Sequence, residues 1–180
     1  PSEQDGQDGQ AGGGSAVPDE DVAGSGVEPL GSSPPVRIDI PKLKVSTSLI
    51  ELGLDKKKAM ETPKGPDQAG WYKLGPTPGA KGPSVIAAHV TWNRKPAVFF
   101  RLSELRKGDT VEVARQDGKT AVFTVDRIAR YPKEKFPTIE VYGNVDHAAL
   151  RLITCGGEFS TATNRYTDNV VVYASLTGTK

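Results

Sequence analysis

The sequence predicts a mainly β (all-β) fold, a closed or nearly closed β barrel with short helices in its connections. The first observation is that short runs rich in β-branched residues recur between turn signals, as strands do. The second is that helix-like patterns are few and short. The runs that predict seven or eight strands are VRIDI, STSLIEL, PSVIAAHV, DTVEVAR, TAVFTVDRIARY, LRLITC and NVVVYASL.

The connections between these runs include two segments with a helical pattern and one long segment without any. We expect short helices at residues 97–105, AVFFRLSEL, and at residues 145–151, VDHAALR. Residues 64–84 are rich in Gly and Pro and contain Trp71 and Tyr72. We therefore expect a long ordered surface loop there rather than a strand.

Composition divides the chain into two parts. Residues 1–35 are rich in Gly, Ser and Pro and contain seven acidic residues but no Lys or Arg. Because such a segment has too little apolar surface to offset its ordering entropy, we predict a flexible acidic tether. Residues 36–180 form the globular domain; all 23 Lys and Arg but only 15 of the 22 acidic residues lie in it, so its net charge is +8.

The residue inventory excludes several classes of site and partner. The basic domain has neither an arginine-rich helix nor an aromatic nucleic-acid motif, so we expect solvated surface charge and no nucleic-acid partner. One cysteine excludes an internal disulfide, and two histidines 58 positions apart make no metal-ligand spacing, so we expect no metal and no cofactor. No run approaches the roughly 20 apolar residues of a membrane span, and the first residues lack a signal-peptide pattern.

The single cysteine, Cys155, ends the apolar run LRLITC and is followed at once by Gly156 and Gly157. A lone cysteine in an apolar strand is commonly a small buried hydrophobe. At a strand end, two glycines let backbone or substrate approach the sulfur closely. A free thiol has a pKa of about 8.5, so a nucleophilic cysteine needs a base or a positive charge beside it. A buried and a catalytic cysteine both remain open at this point.

Three residues elsewhere are candidate partners of the thiol. For His147, in NVDHAAL, we expect a solvated position in the first turn of a short helix. His89 is the penultimate residue of PSVIAAHV, just before the polar stretch TWNRK, and so has the same strand-to-loop position as Cys155, with a structural histidine as the alternative. Arg165 lies ten residues after the cysteine, at the entry to the last predicted strand. A guanidinium there could bind a developing oxyanion, and a surface arginine is the alternative.

The order His, Cys, Arg, with ITC ending one strand and RYTDNVVVYA opening the next, resembles the sortases, the cysteine transpeptidases of Gram-positive cell surfaces. The resemblance covers most of the domain and is strongest to the class F sortases of actinobacteria. It implies an eight-stranded sortase-type β barrel at residues 36–180, with His89, Cys155 and Arg165 as catalytic residues. The motifs that carry it are VRIDIPKLKV, IELGLD, GWYKLGPTPGAKGPSVIAAHV, VFFRLSELRKGDTVEV and LRLITCGGEF.

The resemblance also implies the reaction and its setting. Cys155 would cleave an LPXTG-like sorting signal between Thr and Gly through a thioacyl enzyme, and an amine of a cell-wall precursor would accept the protein. We expect a monomer on the extracellular face of a Gram-positive cell membrane, with the tether leading to an N-terminal membrane anchor that this chain lacks.

Three points stay open at the level of sequence. An alignment anchored on VVVYA would place Asn169 at the arginine position, but Arg165 is the only arginine after the cysteine and we keep it. A hydrolytic cysteine peptidase acting on the same signal is one alternative function. An inactive binding module with the same fold is another, for which Ala88 and Thr91 beside His89 leave room.

Overall fold

The structure, a computed structural model, describes residues 27–132, 137–155, 159–160, 165–166 and 168–180. At Ile139, Cys155, Phe159, Ser160, Arg165 and Tyr166 it describes the backbone alone. The strands are β1 Pro35–Ile40, β2 Val45–Leu52, β3 Ala69–Tyr72, β4 Gly82–His89, β5 Thr91–Trp92, β6 Lys95–Pro96, β7 Thr110–Arg115, β8 Thr120–Tyr131, β9 Ala148–Cys155, β10 Phe159–Ser160, β11 Arg165–Tyr166 and β12 Asn169–Thr179. The helix α1 spans Thr138–Tyr142, and 3-10 helices cover Pro41–Leu43 and Leu102–Glu104. In this described part of the chain, no helix has the length and apolar character needed to cross a membrane.

Eight of the strands close into a barrel in the order β1-β2-β3-β4-β9-β12-β8-β7. The pairs β2–β3 and β4–β9 are parallel, and the other neighbours in the barrel are antiparallel. The predicted fold class is confirmed, and each of the seven predicted runs contains a barrel strand. Two further pairs, β5–β6 and β10–β11, form small hairpins outside the barrel.

Apolar side chains fill the barrel because successive residues of a strand point to opposite faces. In β7, for example, Val111 and Val113 are fully buried, while Glu112 between them is partly exposed. Residues 97–109 lead from the β5–β6 hairpin, which follows β4, to β7. They close one end of the barrel, since Phe99, Leu102 and Leu105 are fully buried in the main core. We call this segment the cap.

A second, smaller apolar cluster lies on the outer face of the barrel. Its buried members are Val85, Val141, Ile153, Val171 and Tyr173. Val141 belongs to α1 and the others to β4, β9 and β12, so α1 packs against the outside of these strands. As a result all eight residues of β4 are buried, as expected for a strand covered on both faces.

Two expectations for the long connections are wrong. The expected surface loop at residues 64–84 contains the barrel strand β3, whose residues Ala69, Gly70 and Trp71 are buried. The flanking Gly and Pro signalled a loop, but pairing with β2 and β4 holds this short segment in the sheet. In residues 97–105 the expected helix is reduced to the 3-10 turn Leu102–Glu104, because its apolar side chains are drawn into the barrel mouth.

The expected helix at residues 145–151 is also wrong, since β9 begins at Ala148. Ala148 pairs with Gly82, the first residue of β4, and the parallel ladder continues from there to Cys155. Non-local pairing therefore overrides the weak helical preference of DHAAL. The α-helix found among the described residues, α1 at Thr138–Tyr142, lies in a stretch where none was predicted.

Part of the expected tether contacts the barrel. The Leu30 backbone N–H donates to the Gly79 carbonyl at 2.7 Å. The buried Ser33 donates its backbone N–H to Thr77 Oγ1, and its Oγ accepts from the Asp117 backbone N–H, both at 3.1 Å. Residues 1–26 lie outside the described residues. The division between tether and domain at residue 36 stays a prediction.

Gly70 provides a test of how β3 packs on β2. A Cβ at this position would lie 2.4 Å from Leu52 Cγ, closer than any real contact, and Leu52 is itself buried. We expect Gly70→Ala to lower the free energy of unfolding by about 1–3 kcal/mol, because the core has no room for the added methyl group. Thermal denaturation measures the effect.

The matched control is Gly178→Ala, at another strand glycine, in β12, where nothing lies within 4 Å of the added Cβ. It should melt close to the unaltered protein. Equal melting temperatures for the two variants would contradict the close packing of Gly70 on Leu52.

Candidate active site

The candidate site is built on the parallel pair β4 and β9. Their register runs from Gly82 opposite Ala148 to His89 opposite Cys155, so the last residues of the two strands are direct neighbours. Adjacent strands lie about 4.8 Å apart. Two of the three residues predicted from sequence are therefore brought together by the backbone, at the carboxyl ends of neighbouring strands.

The imidazole of His89 is held from two sides. The side chain is buried, and its Nε2 lies 2.6 Å from the Pro63 carbonyl oxygen. The ring of Trp92 meets the imidazole edge-on, with centroids 5.0 Å apart and planes inclined by 63°. The His89 carbonyl also accepts a hydrogen bond from the Phe99 backbone N–H at 3.0 Å. The loop before β3, the segment after β4 and the cap thus converge on this histidine.

A tight hairpin places Trp92 against His89. Asn93 and Arg94 both have positive φ, 51° and 64°, as the two central residues of a type I′ hairpin turn require. The turn pairs Trp92 with Lys95, and the Ala97 backbone N–H donates to the Val90 carbonyl at 2.9 Å. The polar stretch TWNRK therefore turns back directly beyond β4, which keeps the indole beside the histidine.

The backbone of Cys155 is fixed at the end of β9, whereas its side chain and residues 156–158 lie outside the described residues. The preceding residue, Thr154, is buried, and its Oγ1 accepts a hydrogen bond from the Val170 backbone N–H at 2.8 Å. This bond ties the end of β9 to the start of β12. No sequence motif marks Thr154 as a functional residue, and the only local signal for it is its place between Ile153 and Cys155 in an apolar run.

Arg165 lies in β11, opposite Ser160 of β10, in the hairpin between β9 and β12. Its side chain lies outside the described residues, so its position relative to Cys155 stays a prediction. The last barrel strand begins at Asn169, which pairs with Tyr131 of β8 and is half-buried. Asn169 is therefore part of the barrel ladder, while Arg165 is not.

His147 is separated from the candidate site. It precedes β9, so the seven steps of the strand, about 23 Å at 3.3 Å per residue, lie between it and Cys155. The expectation of a solvated helical position is wrong, because its side chain is only 16% exposed and its Nε2 lies 3.3 Å from Ser175 Oγ. Ser175 Oγ donates to Asp126 Oδ2 at 2.6 Å. This polar group links β8 and β12 to the residue that precedes β9, at the far end of the barrel.

A cationic cluster lies on the outer face of the barrel, and its buried member, Arg151, is on the same strand as Cys155. The guanidinium of Arg151 lies 4.6 Å from the centroid of the Tyr173 ring and donates from Nε to the Val141 carbonyl at 3.3 Å. Arg127 lies over the same ring at 3.8 Å. Burial lowers the pKa of Arg151 and raises the pKa of Tyr173, although Arg151 stays charged and Tyr173 neutral near pH 7. The cluster fastens α1 to the barrel, and no sequence pattern had indicated it.

The arrangement suits covalent chemistry by a thiol with an imidazole neighbour. Among the described residues, no three His, Cys, Asp or Glu side chains are grouped as a metal site requires.

Comparison with known proteins places the chain in a family. The sequence matches the family model described as the Sortase domain over residues 38–177. A comparison with curated proteins finds no match.

Several solved structures share the fold. The sortase D5 transpeptidase of Clostridium perfringens aligns with a TM-score of 0.58 and 24% identity, over 81% of this chain and 79% of that chain. Sortase A of Listeria monocytogenes aligns with a TM-score of 0.61 and 19% identity, over 83% and 90%. Sortase E1 of Streptomyces coelicolor, solved with a tripeptide in its active site, aligns with a TM-score of 0.60 and 20% identity, over 86% and 93%. At these identities the likeness shows the fold, and the family model, which spans most of the chain, shows that this protein belongs to the sortase family.

Proposed function

We propose that the protein is a cysteine transpeptidase that cleaves an LPXTG-like sorting signal between Thr and Gly and transfers the new carboxyl end to an amine. The observation that carries the proposal is the register pairing of His89 with Cys155 at the ends of two parallel strands. It sets an imidazole-bearing residue beside the only thiol of the chain, as nucleophilic catalysis by cysteine requires. Membership of the sortase family supports the same assignment.

The reaction begins with the pair as thiolate and imidazolium, because the thiolate is the nucleophilic form of cysteine. The Cys155 sulfur attacks the Thr carbonyl carbon, which forms the C–S bond and an oxyanion. The oxyanion collapses, the C–N bond to Gly breaks, and His89 donates its proton to the departing amine. The neutral imidazole then takes a proton from the acceptor amine as that amine attacks the thioester and releases the thiolate.

Arg165 is the proposed stabiliser of the oxyanion. A guanidinium carries a permanent charge and several donors in a planar fork, which suits an oxygen that becomes negative during the reaction. Its place in the β10–β11 hairpin, in the connection that follows Cys155, supports the assignment.

The biological setting belongs to the same proposal. The acceptor is an amine of a cell-wall precursor, and the enzyme works as a monomer on the extracellular face of a Gram-positive cell membrane, joined to it through the acidic residues 1–35. The motifs GWYKLGPTPGAKGPSVIAAHV and LRLITCGGEF support assignment to class F.

Mass spectrometry of the protein mixed with an LPXTG-type peptide tests the chemistry. We expect a covalent adduct with the peptide fragment that ends in Thr, and transfer of this fragment to triglycine when triglycine is present. Cys155→Ala should stay folded and yield neither product. Release of hydrolysed fragment alone, with triglycine in excess, would show a peptidase instead, and a thiol that is labelled only after denaturation would show an inactive module.

The two histidines of the chain form a matched pair for a second test. General acid–base groups contribute about 10²–10⁴-fold to a rate, so we expect His89→Gln to reduce peptide cleavage by at least about 10²-fold. His147→Gln should keep a rate close to that of the unaltered protein, because His147 lies at the far end of β9. Similar rates for the two variants would remove His89 from the mechanism.

Arg165 and Asn169 can be separated in the same assay. Loss of one oxyanion donor costs about 10²–10³-fold in rate, and we expect Arg165→Ala to lose at least that much while the fold stays intact. Lysine should rescue poorly, because it lacks the planar fork. Asn169→Ala should lower the melting temperature more than the rate of the folded enzyme, since Asn169 pairs with Tyr131 in the barrel. Near-normal turnover by Arg165→Ala would exclude the assignment.

A further inference from the structure

We propose that Trp92 and the main-chain carbonyl of Pro63 are positioning groups that hold the His89 imidazole with its proton on Nε2, so that Nδ1 is the atom that exchanges protons with the thiol. The inference rests on the proposed function for its consequence in catalysis. The orientation itself follows from contacts made by the described side chains, and it can be measured without any reaction.

The Pro63 carbonyl decides which nitrogen carries the proton. A carbonyl oxygen can only accept a hydrogen bond, so at 2.6 Å its partner Nε2 has to donate. Nε2 therefore carries hydrogen in both the neutral and the protonated imidazole. The proton that comes and goes is then the one on Nδ1, because an imidazole has only two nitrogens.

The carbonyl is itself fixed by the loop that carries it. Pro63 is buried, and two hydrogen bonds hold the loop just beyond it. The Val98 backbone N–H donates to the Pro66 carbonyl at 3.0 Å, and Thr47 Oγ1 donates to the Asp67 carbonyl at 2.8 Å. The first of these bonds ties the loop to the segment that follows the Trp92 hairpin. The acceptor and the indole therefore belong to one connected structure around the histidine.

Trp92 keeps the ring from turning. A half-turn of the imidazole about its Cβ–Cγ bond would exchange Nε2 with a carbon and break the bond to Pro63. The indole lies edge-on, with its centroid 5.0 Å from that of the imidazole. It occupies the space through which the imidazole would have to turn, or into which it would move in another rotamer, and so opposes both changes that would break this bond. The tight turn at Asn93 and Arg94 holds the indole there. Trp92 thus acts on the reaction through His89 rather than on the substrate.

Nitrogen-15 NMR of the full chain tests the orientation directly. The chain has two histidines, so His147 serves as an internal reference in the same spectrum. In the Cys155→Ala background at about pH 9, where an ordinary imidazole is neutral, we expect His89 to show the tautomer protonated at Nε2. We expect Trp92→Ala to mix the two tautomers of His89 while the His147 signals stay unchanged. A His89 protonated at Nδ1 in the Cys155→Ala chain overturns the inference.

Kinetic measurements on chains that keep Cys155 distinguish a positioning role of Trp92 from a general effect on folding. Since misplacing a catalytic group by about 1 Å can cost about 10²-fold, we expect Trp92→Ala to lower kcat by about 10- to 100-fold with little change in KM. Trp92→Phe should recover kcat to within about three-fold, because it restores an aromatic edge. Lys95→Ala, at the exposed cross-strand neighbour of Trp92, is the control and should match the unaltered chain.

The outcomes distinguish this inference from the proposed function. Equal kcat for Trp92→Ala and Lys95→Ala, with the Nε2 tautomer kept, overturns the role of Trp92. If Trp92→Ala does not fold, Trp92→Leu takes its place: a loss of kcat with mixed tautomers supports the inference, and an unchanged tautomer overturns it. If no variant and not even the unaltered chain cleaves the peptide, the proposed function fails, while the NMR spectra still decide how His89 is held.

Discussion

The parallel ladder between β4 and β9 is the interaction on which the candidate site depends. It brings together residues that are 66 positions apart in the chain, and its last rung is the pair His89 and Cys155. A slip of one residue would turn the side chains of the shifted strand to the opposite face of the sheet. Since β4 is buried along its whole length, that slip would disrupt both the main core and the smaller apolar cluster on the outer face. The packing that stabilises the fold therefore also fixes the register of the site.

The two faces of this ladder are supported in different ways. Inside the barrel, Ile86 and Leu152 belong to a continuous apolar core that the cap closes. Outside, α1 covers Val85 and Ile153, and Arg151 joins this cover to the barrel through the Val141 carbonyl. A buried arginine is costly unless its donors and its charge find partners. The Tyr173 ring and main-chain carbonyls supply them, so the strand that carries Cys155 is held along its length.

The surroundings of His89 come from connections rather than from strands of the barrel. Pro63 precedes β3, Trp92 lies in the hairpin after β4, and Phe99 belongs to the cap. A strand end alone would leave an imidazole free to rotate among several rotamers. The contacts with Pro63 and Trp92 restrict the imidazole to one orientation. A catalytic group needs such support from its neighbours to stay in a productive geometry. This is the physical link between the irregular segments of the chain and the chemistry we propose for it.

The sequence by itself determined the barrel class, seven of its eight strands, and the placement of His89 and Cys155 at strand ends. Runs such as PSVIAAHV and TAVFTVDRIARY have local strand patterns that can be recognised without knowing which strands pair with them. The sequence did not predict β3, because its four residues, flanked by Gly and Pro, form a strand only through pairing with β2 and β4. It predicted a helix where β9 begins, because Ala148 follows a polar turn and becomes part of a strand only through pairing with β4. The roles of Pro63, Trp92, Thr154 and Arg151 were likewise decided by tertiary structure, since each depends on a contact with a residue remote in space or sequence. Local patterns report which face of an element is buried, whereas the neighbours across that face are set only when the whole barrel closes.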